Sequence, residues 1–218
     1  MKLLYFGSYF IIFSAVLMPI YWILFAVFLP MKEGYIKWVS SKNWIWVNSV
    51  GFLGAIMGII ASFFIAVYVS ESLVNYLLLT CVIIGSVMMT SLLYFEAYIL
   101  PGMVSSAPAV VDQNSILYNS KSFKLIRLLG SFIFGAGYII LTVIWLLSDK
   151  IPVWASICIM IGAPVFSAIY LPGNLRLLGI LLYSAGLMVI GLQILRSFFA
   201  IQRFFVFFTG KEGFYKIL

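Results

Sequence analysis

The chain has 218 residues, of which 65% are hydrophobic and 9% charged. Soluble domains carry roughly 25% charged residues, and a water-soluble fold of this length has no means of hiding so much apolar surface, so lipid is the expected solvent. The net charge of +7 then reads as basic loops beside anionic headgroups and not as a nucleic-acid surface, because the basic residues are scattered and form no stripe.

The first apolar run lies within residues 8–30 and ends at Pro30. It is too long for a signal peptide and no small-x-small cleavage site follows, so it reads as a retained membrane span. Residues 31–45 carry Lys32, Lys37 and Lys42 among Trp38 and Trp44, a mixture suited to the headgroup layer. The second span, 46–69, holds the clearest packing signal, Gly54-x3-Gly58-x3-Ser62 with Gly51-x3-Ala55 beside it. Small residues four apart let helix backbones approach closely in lipid. The third span, 73–100, contains Glu96 and ends at Pro101. A long connection, 101–124, follows with Pro108, Asp112 and Asn114.

The fourth span, 125–147, carries Arg127 in its first turn. "SDKIP" leads to the fifth, 152–171, and "PGN" leads to the sixth, 175–198, which opens with Arg176. Links this short make neighbouring helices antiparallel and adjacent. The aromatic stretch from Ser197, with Arg196, Arg203, Lys211 and Lys216 spaced along it, reads as an extension of the last helix at the interface, or as a surface anchor for lipid or a partner. Backbone in lipid must bond internally and no barrel alternation is visible. The expected fold is therefore all-α: a single-domain bundle of six transmembrane helices.

Six spans put both termini on one side of a cell membrane. The basic residues divide six to seven between the two sides, so the positive-inside rule does not decide orientation; the dense cluster after the last span tilts the reading toward cytoplasmic termini. "WVNSVGFLGA" and "WASICIMIGA" echo one another 108 residues apart, as two inverted three-helix halves of a transporter would. The rest of the halves does not match, and coincidence is the better account.

The chain has no histidine. That removes imidazole-ligated haem, most catalytic zinc sites and the Ser-His and Cys-His nucleophiles. Cys81 and Cys158 sit in apolar runs and read as small hydrophobes. No Walker loop, paired-carboxylate, phosphatase or protease motif is present, so no catalytic residue, metal ligand or cofactor is predicted.

Glu96 is the one acidic residue well inside a predicted span. A charge at mid-helix costs roughly 2.5–3.5 kcal/mol on insertion scales; Glu96 lies nearer the end, where the cost is smaller, and should face the interior with a partner. Topology brings Arg127 and Arg176 to the same depth on the same side. Arg suits a carboxylate through bidentate geometry, so the three form either a ligand-binding pocket or a structural clamp joining three helices. Met89 and Gly85 lie below Glu96 on its helix face, and Gln193 with Tyr183 is a weaker polar pair suited to interhelical bonding.

"FEAYILPGMVSSAPAVVD" and "PVWASICIMIGAPVF" make the chain resemble a broad group of small multi-pass bacterial membrane proteins. The group shows Glu before Pro at the end of a middle span, then Ala-Pro, and later Pro-x-Trp and Gly-Ala-Pro; here these are Glu96 and Pro101, Ala107-Pro108, Pro152 and Trp154, and Gly162-Ala163-Pro164. The resemblance implies architecture and a bacterial inner membrane, and no activity. Many members carry a histidine before the second span where this chain has Trp44, Trp46 and Asn48, so no role of that histidine transfers. The leading expectation is a non-enzymatic membrane protein that binds or moves a small amphipathic or charged ligand, such as a lipid, through Glu96, Arg127 and Arg176. The alternative is an accessory subunit of a larger membrane complex, docking on a protein partner through the second-span seam and the C-terminal stretch.

Overall fold

The chain folds into helices throughout its described residues, which in this computed structural model are 2–30, 33–70, 72–104, 106–112 and 119–209, with side chains described from Leu3 to Phe199 within those ranges. The elements are α1 (Lys2–Phe28), α2 (Tyr35–Val39), α3 (Trp44–Val69), α4 (Leu73–Tyr94), a π-helical turn (Phe95–Ile99), α5 (Leu100–Val104), α6 (Pro108–Val111), α7 (Lys121–Leu147), α8 (Val153–Ser167) and α9 (Gly173–Thr209). Serine hydroxyls start two of them: Ser72 accepts from the Asn75 N–H and Ser120 from the Phe123 N–H, satisfying donors that a helix N-terminus leaves open.

Five helical stretches are long and apolar enough to cross a bilayer: Leu3–Phe28, Trp44–Val69, Leu73–Val104, Lys121–Leu147 and Gly173–Phe199. The chain is thus a multi-pass integral membrane protein. The segment expected as the fifth full span, 152–171, is helical only over the 15 residues of α8, about 22 Å at 1.5 Å per residue against a hydrocarbon core of roughly 30 Å. Pro164 removes a backbone donor inside it, and Pro172 disfavours helix in the residue before it. The connection expected over 101–124 is shorter than the sequence suggested, because the third rod runs on to Val104 and α7 starts at Lys121. The last helix continues to Thr209; the end of the aromatic stretch, with Lys211 and Lys216, lies outside the described residues, as do Lys32 and Asn114.

Six helices pack in a closed ring in chain order. α1 lies on α3, α3 on α4, α4 on α7, α7 on α8, α8 on α9, and α9 returns to α1. Neighbours are antiparallel: Gly51 faces Tyr21 while Gly7 faces Phe64, and Gly137 faces Val82 while Gly130 faces Met88. The starts of α3, α7 and α9 therefore meet the ends of α1, α4 and α8 at one end of the ring. Such a ring excludes an inverted repeat, since a dyad in the membrane plane reverses the sense in which helices circulate, and here the sense is the same throughout. The Trp46 and Trp154 echo has no structural counterpart.

The half of the ring nearer the termini is filled. Trp145, Leu141, Ile65, Ile159 and Leu187 are completely buried there. Small residues set the spacing: a methyl group at Gly186 would lie 2.6 Å from the Ala155 carbonyl oxygen. Polar ties close that end, with Lys150 Nζ donating to Tyr68 O at 3.2 Å, Gln193 Nε2 to Lys150 O at 2.8 Å and Asn75 Nδ2 to Ala66 O at 2.8 Å. At the opposite end a separate cluster of Leu29, Val39, Trp44, Leu100 and Val111 ties α2, α5 and α6 together as a partial roof.

The seam expected as a docking stripe is consumed inside the chain. Gly51, Gly54 and Gly58 face Tyr21, Met18 and Ser14 of α1, and Ser62 bonds Tyr138.

Candidate functional site

Glu96 lies in the π-helical turn, and the reason is written five residues downstream. In π register the N–H of residue i bonds the carbonyl of i−5, as Leu100 N–H does to Phe95 O. The next donor in that register would be Pro101, which has no N–H. The Glu96 carbonyl is therefore left open, and the indole Nε1 of Trp44 donates to it at 2.8 Å. Trp44 is 2% exposed. A buried carbonyl without a donor costs about 1–3 kcal/mol, so this bond lets the helix widen by one residue at the position that carries the carboxylate.

Arg176 is held from three sides. Its Nε donates to Phe166 O at 3.2 Å, its guanidinium lies 5.4 Å from the Trp22 ring centroid, and it interacts electrostatically with Glu96. Phe166 O and Ser167 O are last-turn carbonyls of α8, which the helix cannot satisfy itself. Arg176 serves the first and Ser131 Oγ the second, while Ser167 Oγ donates to Ser131 O. These ties explain how α8 ends early without stranding its backbone. Arg127 lies 5.8 Å from the Phe123 ring centroid.

Glu96, Arg127 and Arg176 line one cavity of about 600 Å³, a size usual for small-molecule sites. All six ring helices contribute to its wall, and Lys124 joins the three expected residues at its charged end. Glu96, Arg127 and Arg176 are each half-buried and Lys124 is exposed. Both arginines act on the Glu96 carboxylate electrostatically, yet among the described residues that carboxylate makes no hydrogen bond or direct ion pair. The sequence predicted that the three meet, and they do share the cavity; the bidentate Glu–Arg contact imagined for a clamp is not formed.

Below the charges the wall is mainly apolar and aromatic, with Met18, Ile59, Met89, Phe134 and Phe166, and carries Ser14, Ser86 and Thr90 among them. The floor is a chain of hydroxyls with one direction. Ser62 Oγ donates to Gly58 O at 2.8 Å, so it accepts from Tyr138 Oη at 2.5 Å, and Tyr138 accepts from Tyr183 Oη at 2.8 Å, each hydroxyl having one proton to give. This chain links α3, α7 and α9 across the ring. Near the mouth, Tyr21 Oη donates to Asn48 Oδ1 at 3.2 Å and ties α1 to α3.

Tyr183 thus serves the cavity floor and not a pair with Gln193, which bonds the Lys150 carbonyl at the far end. Trp44 and Lys124 were missed by sequence reasoning because each looked like an ordinary interfacial residue. Ser62 was noticed only for being small. Comparison with family models, with curated proteins and with solved structures finds no match for this chain, so its function is argued from the site.

Proposed function

We propose that this protein is a non-enzymatic membrane protein that binds, and in a transport cycle moves, a small amphipathic or charged ligand held by Glu96, Arg127 and Arg176. The observation that carries this reading is one cavity taking in all three residues without an ion pair that consumes the carboxylate. A clamp would draw the charges together and leave no void; here the void is kept and the charges face it.

The same reading takes α8 as the core of a sixth crossing, completed by the non-helical stretch 168–172. Irregular backbone at membrane depth is tolerated where it lines a cavity, and Ile169 is part of this cavity's wall. Six crossings put both termini at the closed end. With the termini in the cytoplasm, toward which the basic cluster after the last span tilts the reading, and in the bacterial inner membrane that the resemblance implies, the cavity opens on the outer side of that membrane. An accessory-subunit role has less support, since the α3 seam is already filled by α1.

The test is native mass spectrometry of gently extracted protein, with two variants. Glu96→Gln is expected to give folded protein in undiminished yield, because the carboxylate bonds no helix directly. Arg127→Gln is expected to lose a ligand mass that the wild type retains. Collapse of folded Glu96→Gln protein would return the residue to a clamp. An identical ligand load in wild type and Arg127→Gln would remove the site.

A further inference from the structure

We infer that the ligand is an amphiphile already dissolved in the bilayer, and that it enters the cavity sideways from the lipid through the seam between α3 and α4. The inference rests on the cavity reading above and names the source of the ligand and its route.

The first support is how the six seams of the ring are closed. Five of them press a glycine against the neighbouring helix, as Gly54 does on Leu17, Gly135 on Pro164 and Gly191 on Ile12. Close approach at small residues is what associates helices in lipid. The seam between α3 and α4 has no such contact among the described residues. Gly51, Gly54 and Gly58 of α3 turn to α1, and Gly85 of α4 turns to Phe134 of α7. Of the six neighbouring pairs, α3 and α4 touch most sparsely.

The second support is what closes that seam in the open half. Ser49 Oγ donates to Ile45 O, so it accepts from Tyr98 Oη at 2.7 Å. The Phe52 ring packs on Tyr94 and Tyr98 at centroid distances of 5.8 and 6.0 Å. Tyr94 is 48% exposed and Tyr98 38%, so both stand on the surface that lipid covers. Side chains on that surface swing aside by changing rotamer within nanoseconds, whereas backbone packed against glycine has no such freedom.

The third support is where the seam leads. The α3 face that carries Ser49 and Phe52 continues at helical spacing to Ala55 and Ile59, and the α4 face that carries Tyr98 and Tyr94 continues to Thr90. Ala55, Ile59 and Thr90 line the cavity. From the aqueous side, Tyr35 and Trp38 of α2 overlie the same cavity, and the roof narrows the way in. A ligand coming from the bilayer passes from one apolar surrounding to another and keeps its polar group at the level of Glu96 and Tyr98, near the membrane edge.

The experiment uses the full chain in phosphatidylcholine nanodiscs, with Cys81→Ala and Cys158→Ala to remove the native thiols. Met18→Cys supplies a reporter, since Met18 lines the cavity and is 6% exposed. Its modification is timed with N-dodecylmaleimide, which stays in the bilayer, and with a sulfonated maleimide, which stays in water. The bilayer reagent is expected to reach the reporter. Tyr94→Ala is expected to speed that reaction about threefold to tenfold, the factor set by losing aromatic contacts, and to leave the rate of the water-borne reagent unchanged. Phe52→Leu, on the other side of the latch, is expected to act in the same direction and stands in if Tyr94→Ala lowers the melting temperature. Modification by the sulfonated reagent alone would overturn the lateral route and leave a cavity filled from water. Modification by dodecylmaleimide at the same rate in wild type, Tyr94→Ala and Phe52→Leu would overturn the α3–α4 seam as the portal, and acceleration by Trp22→Leu instead would move it to α1 and α9. A reporter that neither reagent reaches would remove the portal and the ligand cavity together.

Discussion

The same six helices enclose two halves that differ in what lies between them. Toward the termini, Trp145, Leu141, Ile65 and Leu187 are completely buried between the helices. Toward the mouth, the ring surrounds a cavity of about 600 Å³. Composition does not separate the halves, since both draw on apolar and aromatic residues. The difference lies in how the helices are tied. Glycines bring backbones together in both halves, Gly186 against Ala155 O in one and Gly179 against Phe166 N in the other, because lipid gives no hydrophobic drive for helices to associate and van der Waals packing must supply it. The open half leaves its middle unpacked and is braced in addition around its rim: Trp44 to Glu96 O, Tyr21 to Asn48, and Arg176 to Phe166 O, under the roof of α2, α5 and α6. A void persists in a membrane protein where polar struts on the perimeter replace packing in the middle.

The sharpest way to break this contrast is to spoil the closed half. Gly186→Val places a branched side chain against the Ala155 carbonyl and the Ile159 side chain. Backbone cannot yield as a flexible side chain does, so the expected loss is about 3 kcal/mol or more, read as a collapse of the melting temperature in detergent. A variant as stable as wild type would mean that α8 and α9 do not touch there.

A smaller effect is expected from a rim strut. Trp44→Phe keeps the aromatic bulk and removes the donor to the Glu96 carbonyl, which Pro101 cannot replace. A destabilisation of about 2 kcal/mol follows, together with a drop in ligand affinity, because the carboxylate is carried by the same turn. Chemical denaturation and a binding titration on one sample measure both. Loss of stability with unaltered binding would separate the strut from the site.

The smallest effect belongs to the boundary between the halves. Tyr138→Phe leaves Ser62 its bond to Gly58 O and takes the acceptor from Tyr183. Interhelical hydrogen bonds in membranes average near 0.6 kcal/mol, so stability should fall by about 1 kcal/mol or less. The floor should loosen, so that the cavity admits a larger ligand than in wild type. An unchanged size limit in a binding titration would place the floor elsewhere.

Much of this was legible from residues alone. Apolar content and the spacing of prolines determined a multi-pass helical membrane protein and the approximate place of each helix, because helix and lipid leave the backbone no other solution. Short links and alternation of direction brought Glu96, Arg127 and Arg176 to one end, because the order of crossings is a property of the chain and not of its packing. The interval from Glu96 to Pro101 was visible too, but its meaning was not: only with the π turn in place does the missing N–H of Pro101 fall opposite the Glu96 carbonyl. The early end of α8, the filling of the Gly54 and Gly58 seam by α1, and the hydroxyl chain across the floor belong to the tertiary structure. So does the decisive fact that the three charged residues surround a space and do not close on one another. Whether a carboxylate and two guanidiniums clasp or stand apart depends on what holds the helices beneath them, and that is settled by contacts such as Tyr138 to Tyr183 and Ser62 to Tyr138, 45 and 76 positions apart, which no local pattern in a sequence records.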